Sequence, residues 1–275
     1  MGASVEASAD DLVSCVMVTR LAADRTAFIR ASLAAFQAQT HRRRELVIVV
    51  DPTADRTGRS ELRAALQVSG PAPIRVVEAP GVLSLGALRN LSLDVSAGAY
   101  VCQWDDDDIH HPQRVSAQLA ALRAGSHQAV LLQDVLQFFA ESRSLYWTNW
   151  RATEAAGHPG TLMLARAAAP RYPEAGPEAR KGEDLDVARR LRARGALGTL
   201  PGAPHLFAYV CHGSNTWDAA HHRMLADRLA ISRSLLKRHE TVLRQAIGEL
   251  ALGPVVVCGA NGPAFEVGGA AGEPQ

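Results

Sequence analysis

The sequence predicts an α/β protein whose first half is an open, mainly parallel sheet flanked by helices and whose second half mixes strands and helices less regularly. Two observations lead there. Apolar runs of strand length at 12–19, 45–50, 74–78 and 99–104 alternate with helix-period stretches, and such alternation with right-handed crossovers builds parallel sheets. The runs also hold few polar residues, as strands covered by helices on both faces do. At 275 residues, one domain over 11–250 is expected, made of halves at 11–110 and 111–250. The Gly-, Ala- and Pro-rich 251–275 should be a flexible tail.

Each element follows from its pattern. The run 12–19 is the first strand, and Asp24 or Thr26 can cap a helix whose Phe28, Ile29, Leu33 and Phe36 share one face. The strand 45–50 closes at Asp51 and Pro52. A short helix near 60–68, a third strand at 74–78 and a helix carrying Leu88, Leu91 and Val95 follow, the last stopped by Gly98. The fourth strand runs into Asp105-Asp106-Asp107-Asp108. Beyond it, 129–139 and 144–150 read as strands, 157–161 as a tight loop, and Leu185, Ala188 and Leu191 as the buried stripe of a helix opening at 180–186. A strand at 205–211 precedes a long helix over 219–247.

Charge and composition exclude several classes of function. With 29 Lys and Arg against 28 Asp and Glu, nothing points to a nucleic-acid groove or an anionic membrane surface, and the expected partner is a small molecule. The four cysteines lack C-x-x-C spacing, which favours packing in a reducing compartment. The first eleven residues have neither a basic nor an apolar signal region, and no apolar stretch is long enough to span a bilayer. A cytoplasmic protein is expected, with a peripheral place at a membrane left open. The glycine fingerprints of dinucleotide sites and P-loops are missing.

The chemistry gathers at strand ends. In an open parallel sheet the ligand sits beyond the carboxyl ends of the strands, where Thr19, Asp51 and the carboxylates of 105–108 all fall. Four adjacent like charges repel unless solvated or neutralised, and Asp105 and Asp107, alternating along an extended backbone, can turn to one divalent ion. A solvated acidic turn is the plainer reading, and Asp51 alone also reads as a turn residue. Glu183 and Asp184 stand in a helix first turn, where carboxylates complement the macrodipole but one can also serve as a general base. His212, at another strand end, suits a metal ligand or a hydrogen-bonded structural residue. Trp147 and Trp150 read as core or as the walls of an acceptor pocket.

Several of these segments, in order over about 13–225, resemble the inverting family 2 glycosyltransferases with the GT-A fold, a Rossmann-like architecture. The strand ending at Thr19, the Gln-Thr end of the first helix (Gln39-Thr40), Val50-Asp51, Leu88-Arg89-Asn90, the D-x-D-D-x-x-x-P block over 105–112, Gly182-Glu183-Asp184 and His212-Gly213-x-Asn215-Thr216 carry the resemblance. It implies that 11–110 binds the nucleotide and 111–250 the acceptor. Thr19, Asp51, Arg89, Asn90, Asp105 and Asp106 would then face the donor, and Asp107 and His212 would hold Mg2+ or Mn2+. Asp184 would be the catalytic base, with Glu183, Trp147 and Trp150 toward the acceptor. The donor would be a nucleoside-diphosphate sugar, UDP-linked first. The acceptor could be a glycan, a lipid-linked sugar, a peptide or a small molecule. Where the family turn carries two Asp, this chain keeps only Asp51.

Two rivals differ in class. A sugar-phosphate nucleotidyltransferase would need a glycine-rich basic loop after the first strand, and 19–22 hold no glycine. A catalytically silent relative that binds a nucleotide or a partner would not need both Asp105-x-Asp107 and Glu183-Asp184.

Overall fold

The computed structural model describes residues 11–21, 25–53, 56–68 and 70–268. Asp24, Ala54 and Asp55 lie outside the described residues. A seven-stranded sheet is built first from β1 (Val13–Thr19), β2 (Arg44–Val50), β3 (Ile74–Glu78) and β4 (Tyr100–Gln103), with β1 parallel to both β2 and β4 and β2 parallel to β3. Between them stand α1 (Thr26–Gln37), α2 (Arg56–Gln67) and α3 (Leu85–Val95). The near-continuous apolar runs now have their cause. Val13, Cys15 and Met17 of β1 and Leu46, Ile48 and Val50 of β2 enter one core with Ile29, Leu33 and Phe36. Val16, Val47 and Val49, on the alternate positions, enter a second core with Leu88 and Leu93. Both faces are buried, so neither face can be polar.

Three further strands complete this sheet: β6 (Ala129–Leu132), β9 (Met163–Ala165) and β10 (Leu197–Leu200). The order is β10-β6-β9-β4-β1-β2-β3, with β9 antiparallel to β4 and β6. The apolar run 129–139 is therefore not one strand. After Leu132 the chain leaves for a second sheet as β7 (Asp134–Phe139), pivoting at Gln133, whose N–H donates to Leu200 O at 3.0 Å and whose carbonyl accepts from Trp150 N at 2.8 Å. Asp134 secures the pivot by accepting from Trp147 Nε1, Asn149 Nδ2 and Gly202 N. Apolar periodicity cannot register a change of sheet inside an unbroken run.

The second sheet has the order β13-β12-β8-β7-β11-β5, with β5 (Ile109–His110), β8 (Ser144–Asn149), β11 (Phe207–Cys211), β12 (Val255–Gly259) and β13 (Gly262–Val267). The last two correct the expected tail. Over 255–267 the chain forms an antiparallel hairpin that adds β12 parallel to β8, with Val255, Val257 and Phe265 buried against Leu136 and Leu145. Glycine-rich composition concealed three alternating apolar positions. The expected helix over 219–247 is also three pieces, α6 (Ala219–Leu229), α7 (Arg233–Arg238) and α8 (Glu240–Glu249). Ser232 starts the second by accepting from Leu235 N, while Ile231 N–H turns aside to Trp147 O.

The remaining helices are α4 (Arg114–Ala124) and α5 (Glu183–Ala193). At α1 the first cap position is held by Arg25, which makes no side-chain cap, so its guanidinium is free for other work. Among the described residues no helix is long and apolar enough to cross a membrane.

Candidate functional site

The acidic turn 105–108 joins the two sheets: β4 ends at Gln103 in the first and β5 begins at Ile109 in the second. Pairing of β5 with β11, Phe207 opposite His110 and Ala208 opposite Ile109, carries the end of β11 to the same place, and His212 follows directly. The turn is held from beneath. Arg114, fully buried, donates to Gln103 O at 2.9 Å and Gln118 Oε1 at 3.1 Å and also contacts His110 Nδ1. An arginine only donates, so His110 Nδ1 accepts and its Nε2–H donates to Asp105 O, 3.1 Å away. Burial, then Arg114, keep that imidazole neutral, its pKa well below the ordinary value. Stacking of His110 on Trp104 at 3.8 Å completes the support. Sequence reasoning missed Arg114; its place in the first turn of an ordinary amphipathic helix gave no signal.

Each of the four carboxylates has its own partners. Asp105 accepts from Gln103 Nε2 at 2.9 Å and Arg89 Nη1 at 3.2 Å. Asp106, buried, accepts from Thr19 Oγ1 at 2.6 Å and pairs with Arg25. Burial and the neighbouring Asp107 raise its pKa against the pull of Arg25. Asp107 Oδ2 accepts from Arg25 Nη2 at 2.8 Å and His212 Nε2 at 3.0 Å. Burial pushes this carboxyl up, yet His212 and Arg25 together bring it to about 2. Asp108 accepts from Val210 N at 3.0 Å, and burial, then Asp107 and Asp105, hold it well above the carboxylate range. Arg25 was not foreseen, because it stands beside residues that read only as a helix start.

A second acidic group lies beside the first through Arg89. Its Nε donates to Glu183 Oε1 at 2.7 Å, 94 positions away in sequence, while its Nη1 reaches Asp105. Gly86 lets α3 approach the 172–174 strap, since a Cβ there would lie 1.9 Å from Pro173 O. Asn90 fastens the same strap: Nδ2 donates to Tyr172 O and Glu174 Oε1, and Oδ1 accepts from Tyr172 N. Next to Glu183, Asp184 is half-buried and accepts from Leu185 N at 2.7 Å. Burial, then the Glu183 charge, raise it to about 7, with Arg89 opposing and Asp105 adding. A carboxyl poised near neutrality beside ionised carboxylates is suited to accept a proton.

The structure thus makes two bonded groups, one of Thr19, Asp106, Asp107 and His212 through Arg25 and one of Asp105 with Glu183 through Arg89, that meet at the acidic turn, with Asp184 next to Glu183. Asp51 lies at the end of β2 and spends Oδ1 on Thr53 N at 2.8 Å and Thr53 Oγ1 at 2.6 Å, a turn of its own. Three other expected residues have protein partners of their own. Asn90 spends its amide on the strap. Glu183, 3% exposed, is the partner of Arg89. Trp147 packs with Leu136, Leu145 and Val257 and donates to Asp134 within the core. Trp150 is half-buried, with its ring centroid 4.6 Å from that of His158 in a T-shaped contact.

Residues 14–163 match the profile described as Glycosyl transferase family 2, more than half of the chain. The chain belongs to that family. It is therefore a glycosyltransferase, and the mixed sheets above are the GT-A arrangement. No curated protein sequence matches it. Among solved structures, S. aureus TarS 1-349 in complex with UDP-GlcNAc is similar at TM-score 0.58 and 14% identity, over 86% of this chain and 66% of that one. The chain spans 49% of the longer TarS structure. The mannosyltransferase PcManGT from Pyrobaculum calidifontis, in complex with GDP-Man and Mn2+, is similar at TM-score 0.56 and 16% identity, over 87% of this chain and 72% of that one. At such identities these likenesses establish the fold. The matched segment contains Arg89 and the acidic turn but ends before Asp184 and His212.

For a divalent cation Asp107 and His212 offer a partial donor set, one carboxylate and one imidazole 3.0 Å apart, with Arg25 Nη2 also on Asp107 Oδ2. Among the described residues no three His, Cys, Asp or Glu side chains gather as a metal cage. The pair fits an ion that completes its coordination with oxygens of a diphosphate and water.

Proposed function

We propose that this glycosyltransferase moves a sugar from a nucleoside-diphosphate donor, UDP-linked first, to an acceptor hydroxyl in a single displacement with inversion. The observation that carries the proposal is Arg89 joining Asp105 to Glu183, which keeps Asp184 beside the acidic turn with a pKa near that of a base working at neutral pH. The UDP-GlcNAc bound by TarS and the GDP-Man bound by PcManGT support this class of substrate.

The roles follow from the chemistry of each group. Thr19, Asp51, Arg89, Asn90, Asp105 and Asp106 form the donor side. Mg2+ or Mn2+ would be held by Asp107 and His212 and, when bound, supplies charge neutralisation for the departing diphosphate. Asp184 takes the proton from the attacking hydroxyl, and the charge it then loses is the charge Glu183 and Asp105 disfavour. Trp150, at the His158 edge, lies on the acceptor side.

The test is thermal stability of the purified protein against UDP, GDP, CDP and dTDP, each with and without Mn2+. A nucleotide at a hundredfold over its Kd adds about 2.7 kcal/mol, so one of the four should raise Tm clearly and more strongly with Mn2+. Flat traces for all four would sink the donor assignment and favour a silent relative.

A further inference from the structure

The ordinary way to keep four adjacent carboxylates in a folded protein is to supply cations. Here the protein supplies one that stands where an ion must enter. An ion shared by Asp107 and His212 has to sit on the Oδ2 side of Asp107, because His212 Nε2 lies there, 3.0 Å from Oδ2. Arg25 Nη2 covers that oxygen at 2.8 Å while the same guanidinium pairs with Asp106. Arg25 itself is 9% exposed, so this is a desolvated contact rather than a rim pair.

The imidazole is also set against a cation. Ser214 N–H points at His212 Nδ1 from 3.2 Å, and a backbone N–H can only donate. Nδ1 therefore accepts, and the proton of the neutral ring is on Nε2, where it donates to Asp107. Asn215 Nδ2 lies 3.2 Å from the same Nε2, but its hydrogens have a better acceptor in Val210 O at 3.0 Å. Ser214 Oγ, 3.0 Å from Nδ1, adds a hydroxyl donor to the same nitrogen, and Phe28 stacks on the ring at 4.8 Å.

We propose that Arg25 is a resident countercation that competes with the divalent ion for Asp107, so that the ion binds only as the guanidinium leaves Oδ2. This rests on the donor-side reading of Asp107 and His212. A guanidinium released from Asp107 is a ready partner for diphosphate oxygens, for which its fork geometry is suited. Metal and donor would then bind cooperatively, because the donor rewards the movement that the metal requires.

The test uses Mn2+ alone, titrated into the full chain while free Mn2+ is read from its electron paramagnetic resonance signal. Arg25→Gln should bind Mn2+ at least about tenfold more tightly than the parent, the factor that one charge-assisted hydrogen bond is worth. Arg25→Lys, which keeps a charge but loses the fork, should fall between them and decides the matter if Arg25→Gln does not fold. Arg30→Gln removes the same charge from an exposed pair with Glu61 and should change Mn2+ affinity less than twofold. Equal or weaker Mn2+ binding by both Arg25 variants would overturn the proposal, as would an equal gain in Arg30→Gln, which would reduce the effect to net charge. Because no nucleotide enters this titration, its outcome is separate from the donor panel. A flat panel with a tenfold gain keeps the competition and removes the substrate.

Discussion

Asp107 and Asp184 are the same side chain in one crevice, brought to opposite ends of the carboxylate range. Asp107 has two donors on one oxygen, Arg25 and His212, and sits at about 2; Asp184 has a backbone N–H and two anionic neighbours and sits at about 7. Burial opposes the charge on both, so burial does not separate them. The difference is the neighbours, Arg25 and His212 on Asp107 against Glu183 and Asp105 outweighing Arg89 at Asp184, and on the proposed reading it divides the labour between an anion for cations and a carboxylate that takes a proton.

The comparison breaks most visibly at Asp184. Asp184→Asn removes the base but little volume, and turnover should fall about a hundred- to ten-thousand-fold with nucleotide affinity kept within about threefold. Steady-state rates beside a nucleotide titration check both halves. A turnover loss below tenfold would assign the proton to another group.

Arg89 is the group both carboxylate sets share. It is 8% exposed at its side chain, and Arg89→Met leaves Glu183 buried without its partner. Breaking a buried pair in this way costs about 3–5 kcal/mol, readable as a lower urea midpoint. The second substitution Glu183→Gln should recover part of that loss, and simple additivity in the double-mutant cycle would mean the pair is not coupled.

A pH profile sharpens the contrast further. The folded pKa of Asp184 is raised, so its proton is favoured in the native state; stability from that proton is complete at low pH and is lost as pH rises through about 7. Activity runs the other way, since the base must be ionised. We expect kcat/KM to drop about tenfold per unit below pH 7, while Asp184→Asn gains stability over the parent progressively from about pH 4 to about pH 7 and not below pH 4. A limb near pH 4 would mean the neighbours are screened in solution.

Much of this was legible in the sequence, and the reasons differ by region. Strands β1, β2 and β4 could be read because their apolar runs are buried with few gaps, and β3, more exposed and carrying Arg75 and Glu78, because it stands in the same alternation of strand and helix. The acidic turn stood out because four like charges closing a buried strand demand an explanation. Lost to the sequence were features that depend on who sits opposite. Gln133 could not announce a change of sheet, nor Arg25 its reach of more than 80 positions to Asp106. By residue pattern alone Glu183 and Asp184 read as equal members of an acidic first turn; the resemblance singled out Asp184 as the base, and the structure adds Arg89 as the partner of Glu183. At 255–267 composition misled, since glycines at the hairpin ends outweighed the alternation of Val255, Val257 and Phe265.

The smallest effect tests whether the position of Asp184, rather than its presence, matters. Helix α5 has a left-handed glycine at each end, Gly182 at φ +87° and Gly195 at φ +66°, and neither has an atom within 4 Å of where a Cβ would stand. Alanine at either therefore meets only the backbone penalty, about 1–2 kcal/mol. If the helix were merely a scaffold, both variants would lose the same stability and nothing else. Gly182, however, fixes the direction in which the chain enters Glu183 and Asp184, and a change there should cost several-fold in kcat with KM for donor unchanged. Gly195→Ala, eleven residues beyond Asp184 on the far end, should keep kcat within twofold at equal stability loss. Matching kcat values for the two variants would show that Asp184 tolerates its backbone shifting, and that the Arg89 to Glu183 pair alone sets the site.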